Sequence, residues 1–311
     1  MEWLIVAAGL GLLLVAGDLL VKGAVNLSLR LGIPALIVSL TVVAFGTSAP
    51  ELLVSVQAIL RGSPGIALGN VVGSNTANVL LVLGLPAVIS RIAAGTGSRK
   101  SYLQMLAATA LFVALCFLGP LTWWHGLILL AALAAMLVWA ARTAMAHRES
   151  GAVEEVEGAD PDLPGWKIAA LLIAGLIGLP LGAELLIRGA TDIASAFGLS
   201  DEMIGLTLVA LGTSLPELAT TIVAAWRRHT DVVMGNVIGS NMFNLLGIIG
   251  VAVLVGPIPV DPQMLRFDLW VMAAAALVLA PFVLRGWALG RRWGAVLSAL
   301  YVAYVVVVLA G

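Results

Sequence analysis

The sequence predicts an all-α polytopic membrane protein, ten transmembrane helices arranged as two inverted-topology repeats of five. Three observations predict it: the composition, the spacing of apolar runs and a duplication at one fixed offset. Of 311 residues, 61% are hydrophobic and only 11% are charged, whereas a soluble domain carries about 25% charged residues. Mean hydropathy is +1.09, so a bilayer has to be the solvent for most of the chain. The formal net charge of -1 offers no basic face to nucleic acid and none to a strongly acidic partner.

About 20 apolar residues cross a hydrocarbon core. Runs of that kind fall at 3–29, 35–60, 66–89, 101–119, 123–142, 168–196, 202–226, 232–256, 267–284 and 292–310. The first has no basic segment before it and meets Asp18, Lys22 and Gly23 where a cleavage site would stand. It therefore reads as a membrane helix rather than a signal peptide. The fourth holds the single cysteine, Cys116, which has no internal partner for a disulfide or a thiolate cage. The one hydrophilic stretch, 142–167, carries Glu149, Glu154, Glu155, Glu157, Asp160 and Asp162 together with Pro161 and Pro164. It reads as a solvated linker. The expected organisation is a first five-helix repeat over 1–142, a linker over 143–167, and a second repeat over 168–311.

The halves are copies. At an offset of 166 residues, Gly46-Thr47-Ser48-Ala49-Pro50-Glu51 falls on Gly212-Thr213-Ser214-Leu215-Pro216-Glu217. Gly69-Asn70-Val71-Val72-Gly73-Ser74-Asn75 falls on Gly235-Asn236-Val237-Ile238-Gly239-Ser240-Asn241 at the same offset. Asn78 meets Asn244, Asp18 meets Glu184, and Lys22 meets Arg188. Lys and Arg mark the cytoplasmic side of membrane proteins. With the N-terminus outside, 13 of the 16 basic residues lie inside, and only Arg61, Arg188 and Arg266 lie outside. Five spans per half is odd, so the second copy enters from the opposite side, as in many secondary transporters. Trp3, Trp123, Trp124, Trp166, Trp270, Trp287 and Trp293 near span ends fit interfacial anchors.

The chemistry centres on Glu51 and Glu217, each in the middle of a membrane run. A carboxylate at the bilayer centre costs about 2.5–3.5 kcal/mol on insertion scales. No Lys or Arg lies at similar depth in these runs, so a bound cation, or protons in its absence, is the compensation to expect. Thr47 with Glu51, and Thr213 with Glu217, stand four apart and are expected on one helical face. Pro50 and Pro216 cannot donate to the carbonyls of Gly46 and Gly212, so each helix is expected to kink or break there. Irregular backbone at that depth belongs beside a cavity. Asn70, Ser74 and Asn78 repeat at intervals of four, as do Asn236, Ser240 and Asn244. Carboxylates, amide oxygens, hydroxyls and carbonyls form a hard-oxygen set suited to Ca2+ and Na+ rather than zinc or copper.

These segments resemble the alpha repeats of the cation/calcium exchanger family, which includes the sodium/calcium exchangers, and the resemblance covers nearly the whole chain. It implies a prokaryotic antiporter exchanging Na+ for Ca2+, with no cofactor besides the transported ions and the bilayer as its surroundings. It implies ion ligands at Thr47, Ser48, Glu51, Ser74 and Asn78, and at Thr213, Ser214, Glu217, Ser240 and Asn244. Asn244 stands where some relatives, including the potassium-dependent branch, carry Asp, which disfavours potassium coupling. The linker is too short for the calcium-sensing domains of animal exchangers. The implied localisation is the prokaryotic inner membrane, with the linker cytoplasmic, and no protein partner is indicated.

Competing readings were weighed on the same residues. Proton/Ca2+ exchange fits the same scaffold, because buried carboxylates bind protons; the matched hydroxyls and amides favour Na+. An intramembrane hydrolase lacks HExxH, a Ser–His pair or an aspartate dyad at membrane depth. A passive channel fits twin carboxylates less well than tight binding does. Lone Ser and Thr residues such as Ser55 and Thr41 read as backbone-bonded, and Asp18/Lys22 and Glu184/Arg188 as salt bridges near helix ends. His125, His147 and His229 have no matched partners in the other copy. Spans one and six, long and nearly free of proline, are candidates to slide past a core of spans two, three, seven and eight.

Overall fold

The computed structural model describes residues 2–93, 98–149, 160–196 and 212–310. Glu154, Glu155 and Glu157 of the linker, and the first half of the seventh apolar run, lie outside the described residues. Regular structure among the described residues is helical, apart from two isolated bridges.

Helix α1 (Glu2–Leu31) is a 30-residue apolar rod with Arg30 in its last turn, favourable at the negative end of the helix dipole. It stops at Gly32, whose φ of 65° is open to glycine at little strain. Gly32 N–H donates to the Leu29 carbonyl and Ile33 N–H to that of Ser28, a Schellman closure that Pro34 then follows. α2 (Ala35–Thr47) and α3 (Ala49–Leu60) are one apolar run bent by 41° at Ser48. α4 (Pro64–Ile89), α5 (Ser98–Cys116) and α6 (Trp123–Glu149) complete the first half. In the second half come α7 (Gly165–Ala196), α8 (Leu215–Trp226), α9 (Thr230–Val255), α10 (Met264–Leu284) and α11 (Arg291–Ala310).

A helix stands at each of the ten expected places. Seven single helices are long and apolar enough to cross a membrane, and the bent pair α2–α3 makes an eighth. Helix α5 falls short because it opens on the polar turn Ser98-Arg99-Lys100-Ser101, and α8 has only 12 residues, the described residues of the seventh apolar run beginning at 212. Ten crossings are therefore not counted, although the polytopic helical class is.

Burial ranks the helices. The spans of α4 and α9 are 72% and 83% buried, against 11% for α11, which puts the two Asn-Ser stripes at the centre and α11 at the lipid. The core joins Leu68 and Val72 of α4 and Ile238 and Met242 of α9 to residues of α2, α5, α6 and α10, among them Leu40, Phe112, Leu129 and Met272. Helices α1 and α7 pack tightly along each other. A Cβ on Gly9 would lie 2.6 Å from the Leu186 backbone nitrogen, and one on Gly182 would lie 2.9 Å from that of Leu13. α7 does contain one proline, Pro180. Two antiparallel bridges, Ile92 with Leu289 and Leu121 with Ile258, pin loops of one half to loops of the other. Cys116 is buried.

Candidate ion-binding site

Local sequence builds the same break twice. Ser48 (φ -84°, ψ 4°) and Ser214 (φ -85°, ψ 3°) leave the helix, and Pro50 and Pro216 sit in the first turn of the helix that restarts. The expected kink is present, and it revises one detail. Thr47 ends α2 while Glu51 begins α3, so they flank a break rather than share a continuous helical face. Each glutamate now lies in the first turn of a helix, where the positive end of the dipole stabilises a carboxylate.

Glu51 and Glu217 are each 1% exposed. Among the described residues, no Lys or Arg bonds to either. The described ion pairs join Asp18 to Lys22 and to Arg227 instead. Ser48 donates from Oγ to Glu217 Oε1 at 3.1 Å, across the repeats. Thr47 Oγ1 lies 3.5 Å from Ser240 Oγ.

The two stripes complete the site. Asn78 and Asn244 each fall in a π-helical turn, Asn78–Val82 and Phe243–Ile248; such wide turns frequently mark functional positions. Asn78 Nδ2 donates to Asn241 Oδ1 at 3.2 Å, leaving its own Oδ1 as acceptor. Helix α9 presses on α2 at Gly239, where a Cβ would come within 2.6 Å of the Leu40 carbonyl oxygen. Ser39 Oγ donates to the Val232 carbonyl at 2.7 Å along the same contact. Among the described residues, Glu51 Oε2, Glu217 Oε2, Ser74 Oγ, Asn78 Oδ1 and both amide atoms of Asn244 are buried without a hydrogen-bond partner. Other such atoms lie on Asn75, Ser98, Ser101, Gln104, His125 and Ser298, but among the described residues only Glu51 and Glu217 add carboxylates. Buried polar groups are nearly always paired, which makes these motif residues the candidate ligand site. No group of three or more His, Cys, Asp or Glu comes together among the described residues, which leaves two acids amid neutral oxygens.

All ten expected positions are buried or partly buried at the two breaks and along the two central stripes. Ser48 is bonded to Glu217 and Thr47 meets Ser240, each pair across the two halves, while Thr213 donates to Asn70 Oδ1 at 3.4 Å. Thr41 bonds back to the Ile37 carbonyl as expected. Ser55 does more: it accepts from Asn70 Nδ2 at 3.1 Å, and Thr221 accepts from Asn236 Nδ2 at 3.0 Å. The signal was available, because Ser55 and Thr221 are both hydroxyl residues at the 166-residue offset. Asp18 pairs with Lys22 as expected and also with Arg227 of the other half, a contact that spacing along one helix cannot reveal. Glu184 and Arg188 form no ion pair among the described residues. His125 is buried, with Nδ1 accepting from the Thr122 backbone N–H at 3.0 Å.

Broken helices that bring paired carboxylates and half-helix termini together inside a polytopic membrane protein define the secondary-transporter class. The family model described as sodium/calcium exchanger protein matches residues 1–142 and 167–310, and the chain belongs to that family. It is an antiporter and not an enzyme. It is 32% identical over 347 residues to the sodium/calcium exchanger MaX1 of Methanosarcina acetivorans, covering 98% of each chain. It is 33% identical over 277 residues to the inner membrane protein YrbG of Escherichia coli, covering 88% of this chain and 85% of the relative. Among solved structures it is similar to the sodium-calcium exchanger NCX_Mj soaked with 10 mM Na+ and zero Ca2+, at a TM-score of 0.85, 35% identity and 98% of each chain.

Proposed function

We propose that the chain exchanges Na+ for Ca2+ at a single site built on Glu51 and Glu217. The observation that carries this reading is the pair of buried carboxylates, each with an oxygen unpartnered among the described residues and with no cationic side chain bonded to it. An uncompensated buried charge is destabilising by several kcal/mol, and one Ca2+ neutralises two glutamates. Thr47, Ser48, Ser74 and Asn78, with Thr213, Ser214, Ser240 and Asn244, supply neutral oxygens. These suit Na+, which several ions would bring in place of one Ca2+. Hydroxyls and amides take up no further proton at neutral pH, which favours Na+ over H+ as the coupling ion.

Competition for one site makes occupancy by the two ions mutually exclusive, and differential affinity biases the inward- and outward-open states. In this reading residues 1–142 and 168–311 are two inverted repeats joined by a cytoplasmic linker at 143–167. The N-terminus lies outside a prokaryotic inner membrane. The basic-residue count supports the orientation, and the inner-membrane relative supports the location.

The test is Ca2+ uptake into proteoliposomes loaded in turn with Na+, K+ or a proton gradient. Uptake should follow the Na+ gradient. Uptake indifferent to internal Na+ would overturn the coupling, and flux without a counter-ion would make the protein a channel.

A further inference from the structure

The geometry points to Asn70 and Asn236 as positioning residues, each of which accepts the hydroxyl hydrogen bond of a threonine in the opposite repeat and so turns that threonine's lone pairs toward an ion. This rests on the site proposed above.

Asn236 is fully buried, and its amide orientation is fixed by its neighbours. Nδ2 lies 3.3 Å from the Glu217 carbonyl oxygen and 3.0 Å from Thr221 Oγ1. Thr221 spends its own proton on the Glu217 carbonyl at 2.7 Å, so its oxygen is left to accept. Both neighbours require a donor, which places the amide nitrogen on that side and the amide oxygen on the other. Asn236 Oδ1 then faces Thr47 Oγ1 at 3.3 Å. An amide oxygen can only accept, so Thr47 is the donor.

The Thr47 proton has three places to go: Asn236 Oδ1 at 3.3 Å, the Ala44 carbonyl at 3.3 Å and Ser240 Oγ at 3.5 Å. Directed at Ser240, it occupies an oxygen that a cation needs. A cation arriving between the hydroxyls and the carboxylates repels that hydrogen, and Asn236 Oδ1 accepts the bond. The Thr47 lone pairs and the Ser240 oxygen are then left to the ion.

The second copy has the same arrangement. Asn70 Nδ2 lies 3.2 Å from the Glu51 carbonyl oxygen and 3.1 Å from Ser55 Oγ, and Asn70 Oδ1 accepts from Thr213 at 3.4 Å. The hydroxyl neighbour differs, Ser55 against Thr221, while the bonds are retained. Each asparagine therefore ties the backbone of one repeat's glutamate to the threonine of the other.

A mutant cycle on Na+-driven Ca2+ uptake tests this. Asn236→Ala and Thr47→Val should each raise the half-saturating Na+ concentration roughly three- to tenfold, the scale of one hydrogen bond, with a smaller shift for Ca2+. The double variant should be no worse than Thr47→Val alone, because Asn236 acts through Thr47. Asn236→Ala combined with Thr213→Val, the threonine served by the other asparagine, should instead multiply the single effects. Asn236→Ser serves as a second variant, with monodispersity and Tm as the folding check. Multiplying effects in the Asn236/Thr47 pair, an unchanged Na+ dependence, or failure of both Asn236 variants to fold would overturn the positioning role. Full transport by Glu51→Gln or Glu217→Gln would instead overturn the underlying site.

Discussion

Ser48 stands three residues before Glu51, and local rules would use that S-x-x-E spacing as a capping box for α3. The structure does otherwise: Ser48 makes no capping bond with its side chain, and its hydroxyl donates to Glu217 of the other repeat. Cross-repeat bonding has taken over from helix capping. Hydrogen bonds to charged groups are worth about 1.5–3 kcal/mol, so Ser48→Ala should weaken Ca2+ binding roughly ten- to hundredfold by calorimetric titration. Its Tm without ions should fall as well, because a buried carboxylate loses its donor although no cap is lost. Glu51→Gln and Glu217→Gln should each reduce Ca2+ uptake by about two orders of magnitude or more, the scale of breaking a buried charge interaction. Each should also leave the ion-free protein at least as stable as the parent, because a buried carboxylate with an unpartnered oxygen is gone. A fall in ion-free Tm for both variants would argue against an uncompensated charge there.

At the scale of elements, three devices form the site: a helix break, a π-helical turn and a close helix crossing. Breaks at Ser48 and Ser214 aim two helix N-termini inward, and π turns carry Asn78 and Asn244. The crossing of α9 over α2 depends on Gly239, because a methyl there meets the Leu40 carbonyl backbone. Gly239→Ala should therefore destabilise by about 1–3 kcal/mol, the usual range for overpacking, read as a lowered Tm in detergent. Helices α1 and α7 are set apart from these, packed on each other and against the carboxylate-bearing α8 near Gly17. The Asp18–Arg227 ion pair fastens α1 to the end of α8. If the α1/α7 pair slides during transport, joining Asp18→Cys to Arg227→Cys with a bifunctional thiosulfonate should stop exchange, and reduction should restore it. The one native cysteine, Cys116, is buried and does not compete. Exchange unaffected by complete cross-linking would refute sliding at this contact.

For the whole molecule, the proposed site lies where the two halves meet, so ion binding there would be linked to packing between them. A ligand that binds only the folded state stabilises it by about 2.7 kcal/mol at 100 times its Kd. Ca2+ should raise Tm, and so should Na+ alone. Because one site serves both, the two together should raise it by less than the sum of the separate shifts. Additive shifts in a thermal titration would mean separate, independent sites.

The sequence by itself determined the membrane class, the duplication, the proline-linked breaks and the pair of glutamates. Each of these follows from local chemistry: the length of apolar runs, identity at a fixed offset, a missing backbone N–H, and a charge among apolar residues. Ser55, Thr221 and the Asn70/Asn236 bonds were legible only as matched letters, because hydrogen-bond direction depends on which atoms meet. The tertiary structure alone decided that Ser48 serves the opposite glutamate and that Asp18 reaches Arg227. It also decided that Asn78 and Asn244 lie in π turns. The physical reason is common to all three. Within one helix a residue reaches only neighbours three or four positions away, whereas this site is made of contacts between copies 166 residues apart.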